Sequence, residues 1–227
     1  MKPHVKLAEA AAPGGGRLTL HEHDGTFCIR INGQILMDSA ATASETLLGE
    51  LAVNRPLAAL TAAPHILIGG LGLGFTLRRV LAGVGPDARV TVAELIPDVI
   101  EWNRTHLHGL NGGLLDDPRV ALVPGDVAEF IRRAPAASCD AVLLDVDNGP
   151  VAMVQAANRG LYSREGIGRI AAMLRPGGRA AIWSASRDDT FADRLAAGGF
   201  AVEAVPARTY PAQRRPAHLI YVADKVN

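Results

Sequence analysis

Four glycines, Gly69, Gly70, Gly72 and Gly74, crowd the end of the apolar run in "HILIGGLGLGFTL", residues 65 to 77. Gly70, Gly72 and Gly74 have the spacing G-x-G-x-G, and peptide without Cβ atoms at a strand-to-helix turn reaches unusual φ values and can lie against a ligand. Glu94 follows 24 residues after Gly70, closing the run "VTVAE". A carboxylate in that place has the oxygens to accept from both hydroxyls of a ribose. Asp126, in "VPGDVAEF", is placed either to accept from an adenine amino group or to cap the helix that follows it. The segment "LLDVDNGP", residues 143–150, adds Asp145, Asp147 and Asn148. Carboxylates there would bind an amine and take its proton as it attacks. Asp145 comes after four apolar residues, where an unpartnered carboxylate is costly, whereas Asp147 and Asn148 read equally well as turn formers. Glycine turn, acid, acid, acid, in that order, points to a nucleoside-like cofactor with a nucleophile's site beside it. A pyrophosphate would call for G-x-G-x-x-G, and Phe75 stands where the third glycine should be.

The elements that must position these residues follow from hydrophobic periodicity. After Pro64 the chain predicts strand "HILIG", a helix from about 73 to 82, strand "RVTVAEL", a helix from about 97 to 108, strand "RVALVPG" and helix "VAEFIRRA". Strand "CDAVLLD", a helix over about 166–174, strand "GGRAAIW", a helix over about 190–197 and strands "FAVEAVPA" and "AHLIYVA" complete it. Strands joined through helices run parallel, and the last two, with no helix between them, pair antiparallel. The expected architecture is an α/β sheet of seven strands with its ligand beyond the strands' carboxyl ends. Ahead of it, Asn32-Gly33 suits a tight turn, so residues 27–37 read as a β-hairpin, with Arg17 to Glu22 as a candidate third strand. Residues 1–16 read as a flexible lead-in, and residues 44–60 as a helix with Ser44 as its cap until Pro56 interrupts it. We divide the chain into an appendage over residues 1–60 and an α/β domain over residues 61–227.

Composition narrows the partner. The 227 residues carry 23 basic and 23 acidic side chains, so no overall field draws in nucleic acid or a membrane surface, and a small molecule is expected. No signal-peptide core and no run of eighteen apolar residues occurs, which predicts a cytoplasmic protein. Cys28 and Cys139 lie in separate strands without metal or redox spacing and read as core thiols. His106 and His108 fall on different faces of a helix, so no metal site is expected. Tyr162 and Trp183 read as core aromatics, and residues 208–216, "RTYPAQRRP", as a basic hairpin loop.

From Pro64 to about Gly178 the chain resembles the class I S-adenosylmethionine-dependent methyltransferase fold, and within it the spermidine synthase (polyamine aminopropyltransferase) group. The resemblance rests on "ILIGGLGLG", on Glu94 in "VAELIPDVIEW", on "DPRVALVPGDVAEFI", on "CDAVLLDVDNGP" and on "LYSREG" with "LRPGG". The N-terminal hairpin resembles the small β domain that precedes the catalytic domain there. By matching position, the resemblance implies that Gly70, Gly72, Gly74, Glu94 and Asp126 hold adenosine and that Asp145 lies at the transfer site. The chain departs from the group in three places. Gly72 stands where the group carries an aspartate in its glycine loop; the group's D-S-S-D-P-x-G-P is shortened to "DVDNGP"; and its tyrosine-histidine-glutamate stretch has no clear counterpart in "ATASETLLGELAV".

The expectation is therefore a transferase using S-adenosylmethionine or its decarboxylated form, with methyl transfer to a small-molecule nucleophile such as an amine as the first reading. An acid at position 72 would repel the carboxylate of the intact cofactor, and Gly72 removes that repulsion. Transfer of the aminopropyl or aminocarboxypropyl arm, a non-catalytic nucleoside-binding protein and a nicotinamide enzyme are the alternatives, in that order. The hairpin's sheet edges offer a route to a homodimer.

Overall fold

A computed structural model describes residues 4–12, 15–54, 61–146, 160–210 and 212–226. The main sheet has seven strands, and its buried strands are continuous apolar runs because helices cover both faces. In chain order they are β5 (His65–Gly69), β6 (Arg89–Glu94), β7 (Val120–Pro124), β8 (Cys139–Leu144), β9 (Leu174–Ser184), β10 (Phe200–Ala207) and β11 (His218–Lys225). Their spatial order is β10-β11-β9-β8-β5-β6-β7. Strands β5 to β9 pair in parallel, while β11 runs antiparallel to both β9 and β10. This is the seven-strand sheet with an antiparallel end that the periodicity predicts.

The helices are α1 (Ala43–Val53), α2 (Phe75–Gly83), α3 (Pro97–Arg104), α4 (His108–Asn111), α5 (Val127–Arg133), α6 (Arg164–Met173) and α7 (Asp189–Ala197). Side chains alternate across the sheet with period two. Ile66, Ile68, Ala141 and Leu143 enter one core cluster with Leu48, Leu77 and Ile100. Leu67, Val142 and Leu144 enter the other with Ile131, Ile167 and Phe191. Among the described residues, no helix is long and apolar enough to cross a membrane.

The N-terminal part is a four-stranded antiparallel meander, β1 (Val5–Ala12), β2 (Gly16–His23), β3 (Thr26–Ile31) and β4 (Gln34–Asp38). Asn32 and Gly33 take φ of 50° and 84° at the predicted tight turn. The flexible lead-in needs correction, because Val5–Ala12 is a full strand paired to β2. Its inward residues Ala10 and Ala12 are buried, and alanine is too small and too common in helices to announce a strand. Leu18, Leu20 and Ile29 of this sheet are buried in the first core cluster, so both sheets share one apolar interior. The expected cap of α1 also differs. Thr42 occupies the N-cap position, and Ser44 lies inside the first turn, donating its hydroxyl to Glu45 Oε2 at 2.7 Å. The end predicted for that helix, near Pro56, falls on residues 55–60, outside the described ones.

Candidate functional site

Strand register brings the site together. Gly69 stands beside Ala93 of β6 on one side and Leu144 of β8 on the other, and Glu94 stands beside Pro124 of β7. The residues just past those positions, Gly70, Glu94, Gly125-Asp126 and Asp145, therefore meet at the carboxyl edge of the sheet. The chain leaves β5 for β6 in one direction and reaches β8 on the other side, so the cleft lies where strand order reverses, the usual ligand place in such sheets. The cleft has about 860 Å³ of space including its open mouth. Its walls include Gly70, Gly72, Glu94, Asp126 and Asp145 from the large sheet and, facing them, Leu36 and Met37 from β4.

The bareness of the glycine loop has local causes. Gly70 has φ +91°, and a Cβ there would run into the carbonyl oxygen of Asp145. Asp145 N donates to Gly69 O at 2.9 Å, which locks the two strand ends this close. Gly72, at φ +50°, has the Met37 thioether in the space a Cβ would take. Gly74 begins α2 and faces Leu114 and Asn103, away from the cleft walls. From outside, Asn103 Nδ2 donates to Gly72 O at 2.8 Å, and Asn111 Nδ2 donates to Asn103 Oδ1 at 2.8 Å.

Glu94 is 7% exposed and faces the loop. Its Oε2 accepts from Leu71 N at 2.8 Å and its Oε1 from Ile96 N at 2.9 Å. Burial pushes its pKa up from 4.5, and the backbone N–H groups around it pull the other way. A carboxylate offers about four lone-pair sites, so two bonds to amides leave room for two hydroxyl donors. Asp126 Oδ1 accepts from Ala128 N at 2.8 Å and so caps α5, while the residue also lines the cleft. Of the two roles read from the sequence, capping is seen, in a side chain that also lines the cleft.

Asp145 Oδ2 accepts from Thr76 Oγ1 at 2.8 Å, which ties the end of β8 to the first turn of α2. Close to this pair, Glu45 in the first turn of α1 is half-buried, its carbonyl oxygen accepts from Thr76 Oγ1 at 3.3 Å, and burial raises the pKa of its side chain. Asp147 and Asn148 lie outside the described residues. Tyr162 packs edge-on against Phe191 with ring centroids 5.5 Å apart, and Trp183 lies 4.9 Å from His218; neither lines the cleft. Sequence reading missed Thr76, Asn103, Asn111, Glu45 and Met37. Their types are common in helices and strands, and only the packing of separate elements brings them to the loop.

Comparison with known proteins identifies the family. Residues 45–187, more than half of the chain, match the family described as "Spermine/spermidine synthase domain". The chain is 33% identical over 155 residues to polyamine aminopropyltransferase 2 of Pseudomonas aeruginosa, a match covering 65% of this chain and 42% of that protein. It is 32% identical over 131 residues to putrescine N-methyltransferase 1 of Nicotiana tabacum, covering 57% and 32%. The matched region thus spans less than half the length of either relative. Among solved structures, spermidine synthase from Thermotoga maritima superimposes with TM-score 0.70 at 20% identity, over 97% of this chain and 72% of that one. Human methyltransferase-like protein 13 in complex with SAH superimposes with TM-score 0.60 at 17% identity, over 82% of each chain. These two likenesses show the fold, and the sequence match to the family is independent of them: the chain belongs to the spermine/spermidine synthase domain family.

Proposed function

We propose that this protein is an S-adenosylmethionine-dependent transferase that methylates a small-molecule nucleophile. One observation carries the reading: Gly70, Gly72, Glu94, Asp126 and Asp145, far apart in sequence, line a single cleft at the carboxyl edge of the sheet. The cleft suits an adenosyl group, since the buried Glu94 keeps acceptor capacity beyond its two amide bonds. In this reading Glu94 accepts from the ribose hydroxyls and Asp126 from the adenine amino group. When bound, the sulfonium supplies an electrophilic carbon and a neutral thioether as leaving group. Asp145, oriented by Thr76, holds the incoming nucleophile in line and takes its proton at the carboxylate.

The identity of residue 72 favours methyl over aminopropyl transfer. At the position where the resemblance places an aspartate, Gly72 offers no acid for a terminal amine, and the Met37 side chain fills the space. The relatives named for polyamine aminopropyl transfer and for putrescine N-methylation keep both reactions within the family's reach. Calorimetric titration with intact and decarboxylated cofactor, followed by product analysis over an amine panel, separates them. S-adenosylhomocysteine as product supports methyl transfer, and 5′-methylthioadenosine overturns it. Tight binding with no turnover would instead favour a nucleoside-binding protein.

A further inference from the structure

Two buried amides hold the glycine loop without themselves lining the cleft. Asn103 in α3 and Asn111 in α4 are 1% and 3% exposed. Asn103 Nδ2 donates to Gly72 O and to Val99 O, both at 2.8 Å. Both partners are carbonyl oxygens, so the NH₂ of this amide, and not its oxygen, must face them. Asn111 Nδ2 donates to Asn103 Oδ1 at 2.8 Å and to Asn103 O at 3.3 Å, which fixes the amide from the other end. Asn111 Oδ1 is buried with no hydrogen-bond partner among the described residues. A half-satisfied interior amide is costly, and the bonds this one does make orient Asn103.

Pinning Gly72 O fixes the peptide plane between Gly72 and Leu73. Among the described residues no peptide bond is cis, and in a trans peptide the C=O and N–H point in opposite directions. With the carbonyl turned to Asn103, the Leu73 N–H is turned the other way, to the side on which Gly72 lines the cleft. The neighbouring donors of the loop are taken: Gly70 N by Ala93 O, Leu71 N by Glu94 and Gly74 N by Leu71 O. Leu73 is 4% exposed, and no described residue accepts from its N–H. Buried backbone donors are nearly always matched, so this one is suited to a ligand's acceptor. We infer that Asn103, oriented by Asn111, is a positioning residue for cofactor choice: by holding Gly72 O outward it keeps the Leu73 N–H aimed at the carboxylate of intact S-adenosylmethionine. The inference rests on the transferase reading of the cleft. Gly72, at φ +50° and without a Cβ, puts little hindrance on rotation of this plane, so its setting depends on the side-chain bond from Asn103. The decarboxylated cofactor has no oxygen to accept from Leu73 and gains nothing from that setting.

The test is calorimetric binding of S-adenosylhomocysteine and of its decarboxylated form, which differ by the carboxylate alone, to the unaltered chain, to Asn103→Ala and to Asn111→Ala. A charge-assisted hydrogen bond from a fixed donor is at stake, so Asn103→Ala should weaken S-adenosylhomocysteine about tenfold and the decarboxylated form by no more than about twofold. Asn111→Ala removes only the orienting bonds and should act in the same direction with a smaller loss. Equal loss of both ligands, or loss of neither, overturns the inference and leaves the transferase reading standing, because both ligands still bind the unaltered chain. Tighter binding of the decarboxylated form by the unaltered chain also overturns it. Failure of both ligands to bind the unaltered chain removes the transferase reading and the inference with it. Circular dichroism checks folding; where Asn103→Ala is unfolded, Asn111→Ala carries the same comparison, and the preference of the unaltered chain is read without any variant.

Discussion

Glu94→Gln probes the loop and the ligand with one atom changed. The carboxylate accepts from two buried amides, Leu71 N at 2.8 Å and Ile96 N at 2.9 Å. A glutamine keeps one oxygen as an acceptor, but its NH₂ faces the second amide, leaving a donor against a donor. Losing charge assistance in the first bond costs ~1 kcal/mol, and stranding the second amide costs about 1–3 kcal/mol. The buried carboxylate also carries a desolvation cost that the neutral amide lacks, so the net loss should be ~2 kcal/mol. For a chain of this size that lowers Tm by roughly 4–8 °C.

The pH dependence has a definite sign. Burial raises the folded pKa of Glu94 above 4.5, so the folded state holds this proton more tightly. Its contribution to stability is full below 4.5 and is lost as pH rises through the folded value. The glutamine variant should lack that component, flattening its share of the stability profile above pH 4.5. Ribose hydroxyls favour the ionised carboxylate, so nucleoside binding to the wild type should release protons, and the variant should bind at least about tenfold more weakly. Thermal unfolding across pH, with calorimetry of S-adenosylhomocysteine in two buffers of different ionisation enthalpy, reads all of this. An unchanged Tm would refute the amide-bond reasoning, and unchanged affinity with no proton release would remove Glu94 from the nucleoside site.

Thr76→Val keeps the shape of a buried side chain while deleting the donor to Asp145 Oδ2, so kcat for the transferred group should fall about tenfold and Thr76→Ser should restore it; equal rates for Val and wild type would show that Thr76 does not orient Asp145. Gly70→Ala sets a Cβ against the Asp145 carbonyl at φ +91° and should cost ~2 kcal/mol or more in chemical denaturation, and a variant as stable as wild type would contradict the close approach of β5 and β8. Cys28 and Cys139 are buried thiols, and burial pushes the pKa of Cys139 up to about 12. Both should therefore resist a thiol reagent at pH 8 and react only on unfolding, and fast modification of the native protein would show that one of these thiols is accessible.

The sequence by itself determined the large sheet and which residues meet at its carboxyl edge. "ILIG" and "AVLL" are unbroken apolar runs because their strands are covered on both faces, and Asp145 breaks the second where cover stops. Glu94, Asp126 and Asp145 were legible for that reason, as was the turn at Asn32-Gly33. Tertiary structure alone decided what surrounds them. That β1 is a strand depends on Ala10 and Ala12 being buried, and alanine carries no strand signal of its own. That Met37 lies against Gly72, that Thr76 holds Asp145 and that Asn103 holds the glycine loop are contacts between residues 31 to 69 positions apart, formed only when separate elements pack together. Local pattern records which residues avoid water, but not which distant element excludes it, and so the apolar wall opposite the acids could be read only from the folded chain.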